Sequence, residues 1–188
     1  RIQVALLLPF MTNETTQSSA TSRFVEYYEG LLLAVDSLRN MGTSIELSVY
    51  DTGNGTKKVK EILKEDALSN ANLIIGAVQN DQIGLIADFA QKHNIKYVIP
   101  FTSKNDDVLS NANVYQVNTP HSYLYSKAAQ AGCDLFSDYN IILVNIKDKE
   151  EKPEFIKAFK TEMQQRDIPF KEVTYKGDTF ATDIEAAM

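Results

Sequence analysis

The apolar residues of this chain follow two alternating spacings, which predict a series of strands and helices. Nearly continuous apolar runs, such as residues 2–8 and 73–78, are typical of strands buried in a parallel sheet. Between these runs apolar residues recur three or four positions apart, and Phe24, Tyr28 and Leu31 mark one such amphipathic helix. The same spacings predict further strands at residues 45–50, 96–100, 114–117, 141–146 and 170–175. Strands that alternate with helices predict an α/β fold, with parallel sheets and helices on both faces.

One helix is predicted between the second and third strands. Thr56 is a suitable N-cap residue, and Val59, Ile62, Leu63 and Ala67 follow it at helical spacing. We therefore expect one continuous helix here, with these four side chains on its inner face.

Length and composition limit the class of protein. The 188 residues suffice for one ordinary domain, or for one domain and part of another. With 44% hydrophobic and 23% charged residues, the composition is that of a globular protein. The longest apolar run near the start is much shorter than the roughly 20 residues that span a bilayer, so we expect no membrane span in this chain. Because the chain begins with Arg1 rather than Met, we expect that a signal segment or an upstream module is missing.

Charge and motifs narrow the possible chemistry. The formal net charge of −6 repels phosphate backbones, so no nucleic-acid partner is expected. Two His and one Cys offer little material for metal or thiol chemistry, and we expect no metal site. The sequence contains no Walker-type phosphate loop, no glycine-rich dinucleotide fingerprint after the first strand and no Gly-x-Ser-x-Gly elbow. We therefore expect no cofactor, no catalytic residues and no enzymatic activity.

The segments that follow the predicted strands supply candidate binding residues. In open parallel sheets, ligands bind beyond the carboxyl ends of the strands. Here those segments offer aromatic rings, amide groups and hydroxyl groups. The candidate ligand-binding residues are Phe10, Gln79, Asn80, Phe101, Thr102 and Ser103. We expect Phe10, the two amides and the two hydroxyls to line one wall of a cleft.

Five stretches, in chain order, resemble the type I periplasmic binding proteins, the family of the leucine/isoleucine/valine-binding proteins. They match the family's first strand with its proline loop, its first helix, its second strand with an acidic turn, its third and fourth strands, and a segment of its second lobe. The stretches are residues 4–10, 28–36, 47–53, 74–76 with 97–103, and 175–179. The resemblance implies two α/β lobes with a ligand cleft between them. Residues 1–118 would form the Rossmann-like first lobe, and residues 119–188 a truncated second lobe whose later strands are missing from the chain.

The ligand loops match the family unevenly. In amino-acid-binding members the loop after the third strand reads Gly-Pro followed by serine, and it holds the ligand carboxylate. Here residues 76–80 read Gly-Ala-Val-Gln-Asn, so amides stand where the family has a serine hydroxyl. The loop after the fourth strand matches better, and the resemblance implies that Thr102 and Ser103 would hold a ligand amine. Residues 145–148 replace a tyrosine that the family has in its second lobe.

The resemblance leaves two functions of different classes. The first is a non-catalytic solute-binding protein of the bacterial periplasm or cell envelope, similar to amino-acid and branched-chain transport proteins, which closes two lobes on a small polar ligand. The second is an envelope interaction or regulatory module of the LysM-associated kind, which has lost its ligand and contacts a protein partner in the peptidoglycan machinery. A polar, concave cleft would favour the first function, whereas a cleft filled by Phe10, Tyr27 and Phe101 would favour the second. The effector-binding part of a repressor has the same architecture and is a further alternative.

Overall fold

The computed structural model describes residues 1–13, 19–146 and 152–175, together with positions 182 and 185. The chain divides into two compact units, Arg1–Pro120 (unit 1) and His121–Met188 (unit 2). Each unit contains its own parallel sheet and its own helices.

Unit 1 contains one sheet of five parallel strands in the order β2-β1-β3-β4-β5. The strands are β1 (Ile2–Leu8), β2 (Ile45–Asp51), β3 (Leu73–Gly76), β4 (Lys96–Ile99) and β5 (Val114–Gln116). The helices are α1 (Ser19–Asn40), α2 (Lys57–Ile62), α3 (Asp66–Ser69) and α4 (Asn80–His93), with a short 3-10 turn at Asp107–Leu109. The parallel pairing and the alternation of strands with helices confirm the α/β class predicted from the apolar pattern.

β1 lies between β2 and β3 and is buried along most of its length. From Val4 to Leu8 the side chains are at most 7% exposed, which explains why the run is apolar on both faces of the strand. In the register of the sheet, Leu7 is level with Tyr50 of β2 and with Gly76 of β3. The three strands therefore end close together, and we call this side of the sheet the carboxyl edge.

α4 supplies one side of the core of unit 1. Its residues Ile83, Ile86, Ala87 and Ala90 are at most 2% exposed and share one cluster with Ile74 of β3. The spacing of three and four residues places these side chains on a single helix face. Full burial of one isoleucine side chain contributes about 2 kcal/mol to stability. This face therefore holds α4 firmly against the sheet.

Tyr97 of β4 brings a polar group into this core. Its side chain is fully buried, and its hydroxyl donates a hydrogen bond to the carbonyl oxygen of Gly76 at 3.0 Å. Burial raises the pKa of the Tyr97 phenol, and the negative charge of Asp107 adds to the effect. The hydroxyl therefore keeps its proton and remains a donor, which secures the end of β3 at the carboxyl edge.

α1 is covered less than its apolar pattern indicates. The face marked by Phe24, Tyr28 and Leu31 is only half-buried. Leu33 and Met41, in and just after the helix, expose 74% and 78% of their surface. Residues 22–40 are all described, and none of their side chains is buried. The spacing predicted the helix correctly, but amphipathic spacing alone does not measure how much of a helix face is covered.

The single helix expected after Thr56 is instead two short helices, α2 and α3. Glu65 has an extended backbone, with φ −75° and ψ 129°, and separates them. The break leaves Ala67 exposed and buries Leu68. The prediction was right for the first part of the segment and wrong beyond it, because the chain turns where the periodic pattern continues.

Unit 2 combines two parallel strands, β6 (Ile141–Ile146) and β7 (Phe170–Tyr175), with helices α5 (His121–Phe136) and α6 (Pro153–Gln165). The two helices pack against each other, and Cys133 of α5 and Met163 of α6 have no exposed surface. In the part of the chain that the structure describes, no helix is long and apolar enough to cross a bilayer.

Gly76→Ala is expected to destabilise the protein. Gly76 has a φ of 124°, and a Cβ atom there would lie 2.0 Å from the carbonyl oxygen of Leu7. Backbone strain and this collision should lower the free energy of unfolding by about 2 to 4 kcal/mol, measured by urea denaturation. Gly84→Ala is the matched control, because a Cβ atom at Gly84 in α4 would meet nothing within 4 Å. Equal stability of the two variants would contradict the close approach of β3 to β1.

Candidate functional site

The six candidate residues follow three neighbouring strands at the carboxyl edge. Phe10 follows β1, Gln79 and Asn80 stand at the start of α4 after β3, and residues 101–103 follow β4. Because β1, β3 and β4 are adjacent and parallel, the fold brings all six residues to one edge of the sheet. Nδ2 of Asn80 donates to the carbonyl oxygen of Lys104 at 3.4 Å, which links the loops after β3 and β4. The role of these residues in ligand binding remains a prediction.

Aromatic rings of α1 lie against the two candidate phenylalanines. Tyr27 meets Phe101 edge to face, with 4.8 Å between ring centroids, and Phe24 meets the same ring at 5.5 Å. Phe10 meets Tyr28 at 5.9 Å. All five rings are half-buried, and each such pair contributes about 0.5 to 1.5 kcal/mol beyond its buried area. These rings, which we call the aromatic wall, hold the first half of α1 at the carboxyl edge.

The ring contacts bear on the alternative that Phe10, Tyr27 and Phe101 fill a cleft. Phe101 pairs with Tyr27, whereas Phe10 pairs with Tyr28. The rings therefore form two groups, each anchored to α1. Their half-buried surfaces offer a ligand an apolar contact area. Burial also raises the pKa of the Tyr27 phenol, so its hydroxyl is a neutral hydrogen-bonding group.

Asp51, the last residue of β2, joins the loops that follow β1 and β2. Its carboxylate accepts hydrogen bonds from the backbone N–H groups of Met11 and Thr12, both at 3.1 Å, and from the Thr12 hydroxyl at 2.8 Å. It also accepts from the N–H of Gly53 at 3.0 Å and from the ammonium of Lys58 at 3.1 Å. Both carboxylate oxygens therefore accept hydrogen bonds from groups of unit 1, and these bonds order the carboxyl edge.

The pKa of Asp51 results from two opposing effects. Partial burial by itself would raise the pKa, because it removes the carboxylate from water. The hydrogen bonds from Thr12, Gly53 and Lys58 outweigh burial and hold the pKa well below its ordinary value of 3.8. Asp51 is therefore ionised throughout the physiological pH range.

Hydrogen bonds from two glutamines link the turn after β2 to the start of α4. Oε1 of Gln79 accepts a hydrogen bond from the N–H of Gly55 at 3.0 Å, and Nε2 donates to the side chain of Asn54. Nε2 of the fully buried Gln82 donates to the carbonyl oxygen of Gly55 at 2.7 Å. Gln79 would have to release one of these bonds to contact a ligand, so its amide primarily positions the loop.

The loop after β4 presents hydroxyl groups from an anchored backbone. Oγ1 of Thr102 accepts a hydrogen bond from the N–H of Lys104 at 3.0 Å, and the Thr102 carbonyl oxygen accepts from Nε2 of Gln116 at 2.9 Å. A hydroxyl that accepts one bond still has a proton to donate. Thr102 and Ser103 are partly exposed beside the ring of Phe101. The loop therefore combines a fixed polar group with an apolar surface.

The sequence reasoning missed Asp51 and Gln82 as residues that shape this edge. Asp51 ends a strand and precedes a turn that contains glycines, and this position could have indicated that its carboxylate orders the turn. Gln82 precedes Ile83 on the buried side of α4, where helical periodicity gives no reason to expect an amide. Its Oε1 is buried and has no hydrogen-bond partner among the described residues. Within the same described ranges, no group of three or more His, Cys, Asp or Glu side chains is placed to hold a metal ion.

Solved structures of binding proteins share the fold of this chain. No family model and no curated protein matches the sequence. An ABC transporter substrate-binding protein from Desulfitobacterium hafniense, in complex with leucine, matches with a TM-score of 0.67 and 14% identity over 99% of this chain and 54% of its own. A leucine-binding protein from Thermotoga maritima matches with a TM-score of 0.57 and 19% identity, over 100% of this chain and 53% of its own. A solute-binding protein of R. palustris, in complex with benzoate, matches with a TM-score of 0.58 and 18% identity, over 99% of this chain and 52% of its own.

These similarities establish the architecture. The chain has the α/β fold of the type I periplasmic binding proteins, with a parallel sheet flanked by helices, as the sequence predicted. At identities below 20%, the likeness concerns the fold. The chain spans about half the length of these proteins. The LysM-associated and peptidoglycan interpretations receive no support from the proteins that match.

Asp51→Asn is expected to weaken the acid dependence of stability. A carboxylate whose pKa is lowered by folding contributes stability above its ordinary pKa of 3.8 and loses that contribution as the pH falls towards the folded-state value. The variant should be about 1 to 3 kcal/mol less stable at neutral pH, because the donors lose a charged acceptor. It should then lose less stability than the wild type on acidification from about pH 5 to pH 2.

Urea denaturation at a series of pH values measures both effects. Asp88→Asn is the matched control, because Asp88 is exposed on α4. Wild-type and Asp51→Asn curves that fall in parallel would show that the Asp51 hydrogen bonds do not depend on its charge.

Proposed function

We propose that this chain is the ligand-binding part of a non-catalytic solute-binding protein, and that the carboxyl edge of unit 1 holds a small polar ligand. The observation that carries the proposal is the meeting of the aromatic wall with the hydroxyls of Thr102 and Ser103 at that edge. A ligand that suits both has an apolar body and a polar end, as an amino acid or a related small molecule does.

The loops around this edge are ordered before any ligand binds. Asp51 ties the loop after β1 to the turn after β2, and Gln79 ties that turn to α4. Thr102 is anchored to β5 through Gln116. Preordered groups lose little conformational freedom on binding, which favours affinity for a small ligand. α4 also begins at this edge, and the positive end of its dipole favours a polar or anionic group there.

The proteins with the same fold support a transport-related role. Those from Desulfitobacterium hafniense and R. palustris bind leucine and benzoate, each of which joins an apolar body to a carboxylate. By analogy we place this protein in the bacterial periplasm or cell envelope. We also assign residues 1–118 to a first lobe and 119–188 to part of a second lobe. Loops rich in amides rather than serine favour a ligand other than a standard α-amino acid.

A thermal-shift screen of amino acids, small amides, aromatic acids and peptidoglycan fragments tests the proposal. A ligand at about 100 times its dissociation constant should stabilise the protein by about 2.7 kcal/mol. For the ligand found, Thr102→Val should raise the Kd by about tenfold in calorimetric titration, because one buried hydrogen bond is lost.

Thr43→Val is the matched control, since Thr43 precedes β2 at the opposite edge of the sheet. It should leave the Kd unchanged. No stabilisation by any compound, with the protein folded, would refute ligand binding and favour the interaction module instead. A ligand whose Kd is unaffected by Thr102→Val would refute the proposed position.

A further inference from the structure

The turn after β2 contains Asn54, which is followed by Gly55. No other asparagine of the sequence precedes a glycine. The backbone nitrogen of the residue after an asparagine can attack the side-chain amide carbon and expel ammonia, a reaction called deamidation. Glycine resists this attack least, because it has no Cβ atom to shield the nitrogen or to restrict the backbone. Among the asparagines of this chain, Asn54 therefore has the neighbour that most favours the reaction.

The turn leaves Asn54 accessible and gives it glycines on both sides. Asn54 is exposed, so water can reach its amide and open the ring that the attack forms. Gly53 and Gly55 have φ values of 56° and 70°, in the left-handed region that glycine adopts without strain. Neither neighbour has a side chain that would hinder rotation of the backbone around Asn54. Exposure and local sequence therefore both favour deamidation at this position.

The side chain of Gln79 holds both groups that would react. Its Oε1 accepts a hydrogen bond from the N–H of Gly55 at 3.0 Å, and its Nε2 donates to Oδ1 of Asn54. The nitrogen of Gly55 can attack only after it has lost its proton and its peptide group has turned towards the Asn54 side chain. The bond to Oε1 opposes both steps, and the bond from Nε2 fixes the orientation of the Asn54 amide. The reaction therefore requires that both bonds to Gln79 break first.

Gln79 is itself held in place by the core of unit 1. It is the N-cap residue of α4, and its carbonyl oxygen accepts the N–H groups of Gln82 and Ile83, both at 3.0 Å. Ile83 has no exposed surface. On the buried side of the turn, Nε2 of Gln82 donates to the carbonyl oxygen of Gly55 at 2.7 Å. The bonds from Gln79 to Asn54 and Gly55 therefore start from a fixed position, and they persist until the turn opens.

We propose that Asn54 is a deamidation site and that Gln79 restrains the reaction in the folded chain. A bond forms between the Gly55 nitrogen and Cγ of Asn54, and the bond from Cγ to Nδ2 breaks. Ammonia leaves, the proton of Gly55 is released to water, and a five-membered succinimide ring remains. Water then opens the ring at either carbonyl group and gives aspartate or isoaspartate. The reaction consumes only water, so it needs no enzyme and no oxidant.

Both products would change the carboxyl edge of unit 1. Aspartate adds a negative charge at position 54, in the turn that also follows Asp51. Isoaspartate adds one carbon to the backbone of the turn, which would displace Gly55 from Oε1 of Gln79. The inference concerns the chemistry of the turn alone and does not rest on the function proposed for this edge.

Peptide mapping by mass spectrometry, after incubation of the full chain at mildly alkaline pH, tests the proposal. The wild type should form both aspartate and isoaspartate at position 54. The reaction should be about ten times slower in the folded chain than in guanidinium chloride, because two hydrogen bonds must break first. Gln79→Leu removes both bonds and should speed the reaction of the folded chain by about tenfold. Gln91→Leu is the matched control, because Gln91 is exposed on the same helix, and it should leave the rate unchanged.

Gln79→Glu provides a second variant in case Gln79→Leu does not fold, which circular dichroism would show. A glutamate keeps an acceptor for the N–H of Gly55 but has no amide proton to donate to Asn54, so its rate should lie between those of the wild type and the unfolded chain. Three results would overturn the proposal: equal rates in folded and unfolded wild type, a wild-type rate in both Gln79 variants, or aspartate without isoaspartate at position 54. The last result would show direct hydrolysis of the side chain, without attack by Gly55.

Discussion

The backbone of β1 is enclosed on both sides, so each of its N–H and C=O groups needs a partner within the sheet. Parallel pairing with β2 and β3 supplies these partners and fixes where the three strands end. At the end of β3 the carbonyl oxygen of Leu7 accepts the N–H of Ala77 at 2.7 Å. This bond draws β3 so close to β1 that Gly76 has no room for a side chain. The carboxyl edge, with every loop that meets there, depends on this pairing.

The polar groups at that edge differ in their hydrogen-bond partners and in how far they are exposed. Asp51, Gln79 and Gln82 direct their hydrogen bonds towards neighbouring loops of unit 1. Thr102 and Ser103 stand partly exposed beside Phe101. A loop edge without internal bonds would lose conformational freedom when a ligand ordered it, and affinity would fall accordingly. The bonds of Asp51, Gln79 and Gln82 therefore order the edge at which Thr102 and Ser103 stand.

Both units place aromatic rings beside polar side chains, but on different secondary-structure elements. In unit 1 aromatic rings meet hydroxyls at the end of a five-stranded sheet. In unit 2 aromatic rings meet a lysine between the starts of two helices. Leucine and benzoate, the ligands in two proteins of similar fold, also join an apolar body to a polar end. The exposed Leu33 of α1 shows that unit 1 also has apolar surface outside its core.

Apolar spacing by itself determined the class of fold, because strands buried on both faces and helices buried on one leave distinct periods in a sequence. It also located the six candidate residues, since the carboxyl ends of parallel strands must meet at one edge. Spacing did not reveal the break at Glu65 or the exposure of α1, because both depend on which surfaces pack together rather than on local pattern. Nor did it reveal the hydrogen bonds of Asp51 and Gln82, whose partners lie up to 40 positions away along the chain. Those bonds exist only once the sheet has brought distant loops together, and so the tertiary structure alone decided them.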